Sequence, residues 1–524
     1  MTIAVRYTLP GSCTRRVASV ALVRLCAMAL VMASLMNVSA AQSTQPSIKL
    51  PIAFAGFTDD PRLAPLATEF SAGTPAFDSA SVAYFRLGSA IVTQASGSYS
   101  IRRDFGDRVV EAVNRDIFSD GNHWDGKWDT SQMIDDRIVI DARDRAYTII
   151  TPRYSNLDHA VLLYSLDGMR TWRALPLRGR AAVMEVPDGF NSHAGPPAVL
   201  SHENYGTRAG KQLWLEHFHY DSSGVLVPDF PAQLVTSDSL LVINHSGGAN
   251  SLITLGSKIF IVYPSATPKA PGEPGTMVYI REFDLVGRRF TSDSKYLGLS
   301  GDISPVRNLI HGPDPHNIPA ITADRRGILY VIFGAHQGLF KLTMSSSPAT
   351  IQAGWTDPEA FGEIESNKKY GRYSYVSALM DTEQNLHVFA RAEGDFYHYQ
   401  LVQLMKPFEQ PFKRWPGGLM HRVIVEPGRS YYAAWRQRAA LDRSGNLYLH
   451  FKYWPNELTE AEASSLRLKG SGKSCRAERC FYAQAPFLYP TTLRSTDHGE
   501  SFALFEHGHS AQADSQSSEA TDAN

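Results

Sequence analysis

One segment type recurs along the chain about every sixty residues and limits the folds available. Each copy is an apolar strand, a tight turn led by Asp or Gly, and a second strand of alternating apolar residues. The copies are Ile138 to Ile150, Ala198 to Leu215, Ser251 to Tyr263, Ala320 to Phe333, Ala378 to Phe389 and Ala440 to Phe451, with turns at Asp141, Gly256, Asp324, Asp381 and Asp442. A sandwich or a barrel supplies many short strands but no such period, whereas a ring of four-stranded blades does. Six units are visible, and Val82 to Arg102 supplies strands for a seventh. The expected fold is therefore all-β, a seven-bladed β-propeller. Helical periodicity is expected only around Thr459 to Leu468, as a short insertion.

The propeller is expected to span residues 42–509 as one domain. Ahead of it, Arg6, Arg15 and Arg16 precede an apolar run broken by Arg24 and ending in Val38-Ser39-Ala40-Ala41, the pattern of a secretory signal over residues 1–41. The apolar stretch from Leu25 to Met36 is too short to span a bilayer, so no membrane anchor is expected after cleavage, and the protein is expected in the periplasm or outside the cell. Loss of the segment's four arginines moves the formal net charge from −1 to −5. That balance excludes the basic footprint of a nucleic-acid binder. Residues 510–524, rich in Ser, Ala and Asp, read as a disordered tail. Outside the signal only Cys475 and Cys480 remain, and in an oxidising compartment they are expected to form a disulfide.

Two segments, Ser165 to Trp172 and Ser495 to Phe502, resemble the Asp-box of the bacterial neuraminidase repeat, Ser-x-Asp-x-Gly-x-Thr/Ser-Trp/Phe. The second fits cleanly, and the first carries its glycine one place early, at Gly168. This motif shapes outer turns and implies a propeller without implying an activity. Residues for chemistry are expected just before the inner strands, where side chains reach one end of the channel. There the chain places Asn250, His316-Asn317, Tyr373 to Tyr375 and Tyr431-Tyr432, with His336 and Arg391 just beyond two of the hairpins. Asn250 reads as channel lining or as a substrate contact, and Asn317 and Tyr432 as substrate contacts.

From Asp314 to Phe502 the chain resembles the bacterial-neuraminidase-repeat propeller polysaccharide lyases, of the ulvan lyase and rhamnosyl-glucuronate lyase type. The resemblance rests on His316-Asn317-Ile-Pro-Ala, Gly334-Ala-His336, Tyr375 and Arg391. It implies that His316, His336, Tyr375 and Arg391 are catalytic and that an anionic, uronic-acid-containing polysaccharide is the substrate. In such a lyase the C5 proton is removed and the C4 oxygen expelled, which requires neutralisation of the uronate carboxylate, a base at C5 and an acid at the leaving oxygen. Arg391 offers a donor fork for the carboxylate. Tyr375 or His336 is expected as base and His316 as acid or carboxylate-side donor, an order the sequence leaves open.

A sialidase-like hydrolase is the alternative enzyme, for which Phe85-Arg86-Leu87 is the nearest, poor match to an early Arg-Ile-Pro segment. A non-catalytic glycan-binding propeller is the third reading. No catalytic metal and no organic cofactor are expected, and a structural calcium or zinc ion is allowed without named ligands. His217 and His219 share a strand face by the period of two and read as structural before metal-binding. The protein is expected to act as a monomer.

Overall fold

The computed structural model describes residues 48–50 and 74–505, apart from 96–97, 119–120, 129–136, 154, 187–192, 204–210, 242–249, 270–274, 301–312, 315, 364–372, 394–398, 428–433, 454–455, 466, 469–472, 477–478 and 483–488. The signal segment, the tail and Tyr432 lie outside them. Seven sheets make seven blades of a β-propeller. Their innermost strands are Ala76–Phe77, Ile138–Ile140, Ala181–Met184, Leu252–Leu255, Ala320–Ala323, Tyr373–Met380 and Ala434–Leu441, numbered here as blades 1 to 7. A further strand, Ile48–Leu50, adds in parallel to the outer edge of blade 6.

Each strand faces apolar neighbours on both sides because every blade is packed between two others, so clusters of buried side chains straddle each joint. Phe389 and Leu401 of blade 6 meet Phe451 and Leu493 of blade 7, and Phe77, Phe85 and Val92 of blade 1 meet Ala440 and Tyr448 of blade 7. That last cluster joins the first blade to the last by side-chain packing.

Five of the inner turns are built alike. Asp78, Asp141, Asp324, Asp381 and Asp442 each accept on Oδ1 the backbone N–H groups two and four residues on, at 2.8–3.1 Å. Oδ2 of each takes a ring donor six residues on, from Tyr84, Tyr147, Tyr330, His387 and Tyr448 at 2.9–3.4 Å. An Asp followed six places later by Tyr or His is thus a repeat signature, and it marks blade 1 at Asp78, which the hairpin pattern alone did not reveal. Blade 4 uses a tight turn at Gly256, φ +61°.

Asp381 shows what the turn contributes. It is fully buried and holds the N–H groups of Glu383 and Asn385, the Asn385 amide and the His387 ring. Burial pushes its carboxyl up, but the bond and charge of His387 and the Asn385 bonds outweigh that and hold it below the usual carboxylate range. Asp381→Ala strands these donors in the interior and is expected to cost about 2–4 kcal/mol in denaturant unfolding. Because the folded value is depressed, the stabilisation is in place above about pH 4 and is lost as the pH falls through the lower folded value. Acid titration of unfolding should therefore lose a step in the variant.

Two expectations need correction. A helix forms at Phe105–Asp116, where none was expected, and buries Phe105, Val109, Ala112 and Val113 beside Trp172 at the joint of blades 1 and 2. The pair Val199–His202 and Lys211–Glu216 is antiparallel, as a hairpin requires, but forms the second and third strands of blade 3; Ala181–Met184 is the inner one. The insertion near residue 460 is helical over Glu460–Ser465.

Both Asp-box segments form the same turn. Asp167 and Asp497 accept their own Ser and Thr or Ser hydroxyls and backbone N–H groups, and Trp172 and Phe502 are buried between blades. Each turn needs two successive left-handed residues, Gly168 with Met169 (φ +67° and +64°) and His498 with Gly499 (φ +55° and +78°). The early glycine of the first segment fills one of these places and Met169 accepts the other, which preserves the turn.

Candidate functional site

The site grows from three adjacent strands at one end of the ring. The segment Phe333-Gly334-Ala335 leaves blade 5 and crosses to blade 6, where His336–Gly338 pairs with the start of Tyr373–Met380, and that strand pairs in turn with Leu386–Glu393. The register sets His336 opposite Ser374 and Ser374 opposite Arg391, so the two outer residues that the sequence nominates flank Ser374. Gly334 permits the crossing: a Cβ there would lie 2.1 Å from the Ile318 carbonyl oxygen. The Gly-x-His segment and the His-Asn-Ile-Pro-Ala segment therefore press backbone on backbone.

Beyond Ser374 the inner strand of blade 6 bulges, its register slipping between Ser374 and Ser377. Tyr375 sits in the bulge with φ +61°, a conformation that costs a bulky residue about 1–3 kcal/mol and gathers at functional sites. Its N–H donates to the Ala335 carbonyl at 3.1 Å, and the Gln437 side-chain amide donates to its carbonyl. The Arg391 guanidinium lies 4.5 Å from the Tyr375 ring centroid and 4.1 Å from that of Tyr399. The His316 ring stands 6.0 Å from the same Tyr375 ring. His316 is partly exposed, whereas Tyr375 is 3% and Arg391 1% exposed. Arg391 thus lies beneath an aromatic ring, not on the surface where a carboxylate clamp would stand.

The loop before blade 5 carries the remaining parts. His316 Nδ1 and its own backbone N–H bond Asp314 Oδ1 at 2.5 and 2.9 Å. A carboxylate on Nδ1 fixes the tautomer in which Nδ1 carries the proton and orients the ring. Thr276 of blade 4 anchors this loop, accepting from the Asp314 N–H at 2.9 Å and the Asn317 amide at 3.2 Å.

Among the described residues, three buried oxygens in this neighbourhood find no hydrogen-bond partner: Asn317 Oδ1, Ser374 Oγ and Gln437 Oε1.

His316, Asn317, Tyr375, Arg391 and, by its backbone, His336 are brought to one region. Asn250 is held differently, its Oδ1 accepting from Arg137 at 3.4 Å and its carbonyl from the Ile321 N–H at 2.8 Å. A cavity of about 270 Å³ follows the channel between Ala76, Arg137, Ile138, Ala440, Asp442 and Arg443, not the His316 group. The sequence reading gave no role to Asp314, Ser374, Tyr399 or Gln437. Gln437 lies in a second register slip, between Trp435 and Arg438 of blade 7, which only the strand pairing reveals. Ser374 and Tyr399 depend on cross-strand register, and Asp314 on a loop bond to the histidine two places on.

Among the described residues no three His, Cys, Asp or Glu side chains are grouped to hold a metal ion. His217 and His219 instead both bond Asp229 through Nδ1. Cys475 and Cys480 are joined as a disulfide. No helix among the described residues is long and apolar enough to cross a membrane.

No protein-family model matches the sequence, and no curated protein matches it. Similar solved structures include an ulvan lyase described as a new polysaccharide lyase family, PL25, with 15% identity over 41% of this chain and 48% of that one, at a TM-score of 0.31. The chain thus spans about half the length of that lyase. A sucrose-6-phosphate hydrolase from Lactobacillus gasseri has 12% identity over 63% and 62%, at 0.33. The NanB sialidase of Streptococcus pneumoniae has 10% identity over 60% and 64%, at 0.31. Likenesses of this degree say nothing of activity.

Proposed function

We propose that the protein is a secreted polysaccharide lyase that cleaves uronic-acid glycans by β-elimination. The observation that carries this reading is the Asp314–His316 pair beside a strained Tyr375 backed by the Arg391 cation. His316 Nε2 takes the C5 proton, the C4–C5 double bond forms as the C4–O bond breaks, and the Tyr375 hydroxyl protonates the departing oxygen. This reverses the roles expected from sequence. Asp314 supports the reversal because its bond to Nδ1 orients the ring with Nε2 as the proton acceptor, and the Arg391 guanidinium packed on the Tyr375 ring places positive charge near the departing oxygen.

Arg391, shielded by Tyr375 and Tyr399, contributes positive potential through a medium of low dielectric instead of direct contact with the substrate carboxylate. Asn317 Oδ1 and Gln437 Oε1 are acceptors for sugar hydroxyls or ordered water. The chemistry needs no organic cofactor, and a monomer suffices for it.

The sialidase alternative loses its early arginine. Arg86 is 1% exposed and bonds Thr148 Oγ1 at 2.9 Å and the Ile149 carbonyl at 2.7 Å, tying blade 1 to blade 2. Such an arginine has no reach to a substrate carboxylate.

The test is Asp314→Asn, assayed for ultraviolet-absorbing unsaturated product across pH on a uronate polymer that the wild type cleaves. An amide at Nδ1 favours the wrong tautomer, so turnover should fall roughly 10²–10⁴-fold at every pH. Unchanged turnover would remove His316 from the chemistry.

A further inference from the structure

The inner strands differ in length around the ring. Blade 1 contributes only Ala76–Phe77, whereas blades 6 and 7 contribute eight residues each, Tyr373–Met380 and Ala434–Leu441. Blades 7 and 2 meet across the short strand: Arg443, in the turn of blade 7, donates to the Ile140 and Asp141 carbonyls of blade 2 at 3.4 and 2.9 Å. The channel cavity of about 270 Å³ lies among these three blades, away from the His316 group, and the proposed reaction makes no use of it.

The cavity adjoins the joint where the ring closes. Blade 1 is built from residues 76–102 and blade 7 from residues 434–504, so no strand is shared between the first blade and the last. Side-chain packing of Phe77, Phe85 and Val92 on Ala440 and Tyr448 takes the place of a chain connection there. Anything held between Ala76, Ala440 and Ile138 touches both ends of the ring and the blade beyond.

The walls specify what would fit. Three charged residues line the cavity, Arg137, Arg443 and Asp442. The two guanidinium groups can only donate. Asp442 is already supplied with donors, Oδ1 by the Ser444 and Asn446 N–H groups and Oδ2 by the Asn446 amide and the Tyr448 hydroxyl, at 2.7–3.2 Å. The carboxylates next along the lining segments, Asp141, Glu185 and Asp381, lie against Arg145, His193 and His387 at 2.6, 3.4 and 3.0 Å. Thr74, 5% exposed, also lines the cavity, and its Oγ1 finds no hydrogen-bond partner among the described residues. The remaining side chains of the lining are apolar apart from Thr382. The volume is near the lower end for small-molecule pockets, about 300 Å³, which suits one sugar ring and not a chain.

We propose that this cavity binds a small hydroxylated carboxylate, the size of a single sugar acid, and that the ligand braces the joint between the first and last blades. Its carboxylate faces Arg137 and Arg443, for which guanidinium groups are the fitting donors, and a hydroxyl pairs with Thr74. The proposal stands apart from the lyase reading, since it requires no turnover and none of the residues assigned to the reaction.

The test is thermal unfolding of the full-length protein in increasing glucuronate, glucose, acetate or sulfate. Binding to the folded ring alone raises its stability by mass action, so glucuronate should raise the melting temperature by about 3 °C at a hundredfold excess over Kd. Glucose, without the carboxylate, and acetate, without the hydroxyls, should give less than half that rise at the same concentration. Thr74→Val keeps the shape of the side chain and should weaken glucuronate about tenfold. Arg443→Gln should abolish the rise, measured against its own starting melting temperature. His316→Ala should show the full wild-type rise, which separates this cavity from the candidate active site. A wild type that glucuronate does not stabilise overturns the proposal, as does an equal rise with sulfate, which would mark a general anion effect. A rise that Thr74→Val and Arg443→Gln keep and His316→Ala loses would place the ligand at the other site and overturn it equally.

Discussion

Tyr375→Phe is expected to leave the fold intact and to lower turnover of a uronate polymer by roughly 10²–10⁴-fold. The ring keeps its place under the change, since its backbone is held by Ala335 and Gln437 and its face by Arg391. What is removed is the hydroxyl that protonates the leaving oxygen. The loss should fall on kcat with little change in KM, because the hydroxyl acts in the transition state more than in binding. His316→Ala should fall as far, and the double variant little further, because the two residues serve one event. A thermal melt within a degree or so of wild type would separate lost chemistry from lost structure. If Tyr375→Phe retained most of its turnover, the acid would have to be sought elsewhere.

Gly334→Val should do more damage to the fold than any other single change near the site. Its Cβ would meet the Ile318 carbonyl oxygen at 2.1 Å and carbon at 2.7 Å, both backbone atoms that no rotamer change can move. Relief requires the inner strand of blade 5 to shift, and that strand is buried throughout. The Gly334 carbonyl also accepts from Ser300, and the next carbonyl, Ala335, holds the Tyr375 N–H. We expect a loss of about 3 kcal/mol or more in denaturant unfolding, with Gly334→Ala milder but in the same direction. Turnover of whatever protein remains folded should drop as well, because the shift passes through Ala335 to Tyr375. A variant as stable as wild type would mean that the two motif segments do not press together as described.

The repeat was legible because five of the seven blades use the same turn, and the Asp that makes it cannot be replaced without stranding two N–H groups. The blade 3 inner strand was not, since Ala181–Met184 reaches its partner through a long connection and carries no Asp turn. The helix Phe105–Asp116 did carry a signal, with Phe105, Val109, Ala112 and Val113 at helical spacing. Strand patterns on either side obscured it.

At the site, His316, Tyr375 and Arg391 could be named from their order along the chain, but their relation could not. That Arg391 lies under Tyr375, and that Tyr399 closes over it, follows from cross-strand register and a bulge. Asp314 stood beside His316 in the sequence throughout, yet only its 2.5 Å bond to Nδ1 gives it a role.

The most direct test of the account is the chemical nature of the new chain end. The purified protein, incubated with uronic-acid glycans including ulvan and gum arabic, should release fragments bearing a C4–C5 double bond. These are detectable by ultraviolet absorbance and by a mass one water lighter than the hydrolytic product. Fragments of full hydrolytic mass with no such absorbance would contradict β-elimination and make the protein a hydrolase.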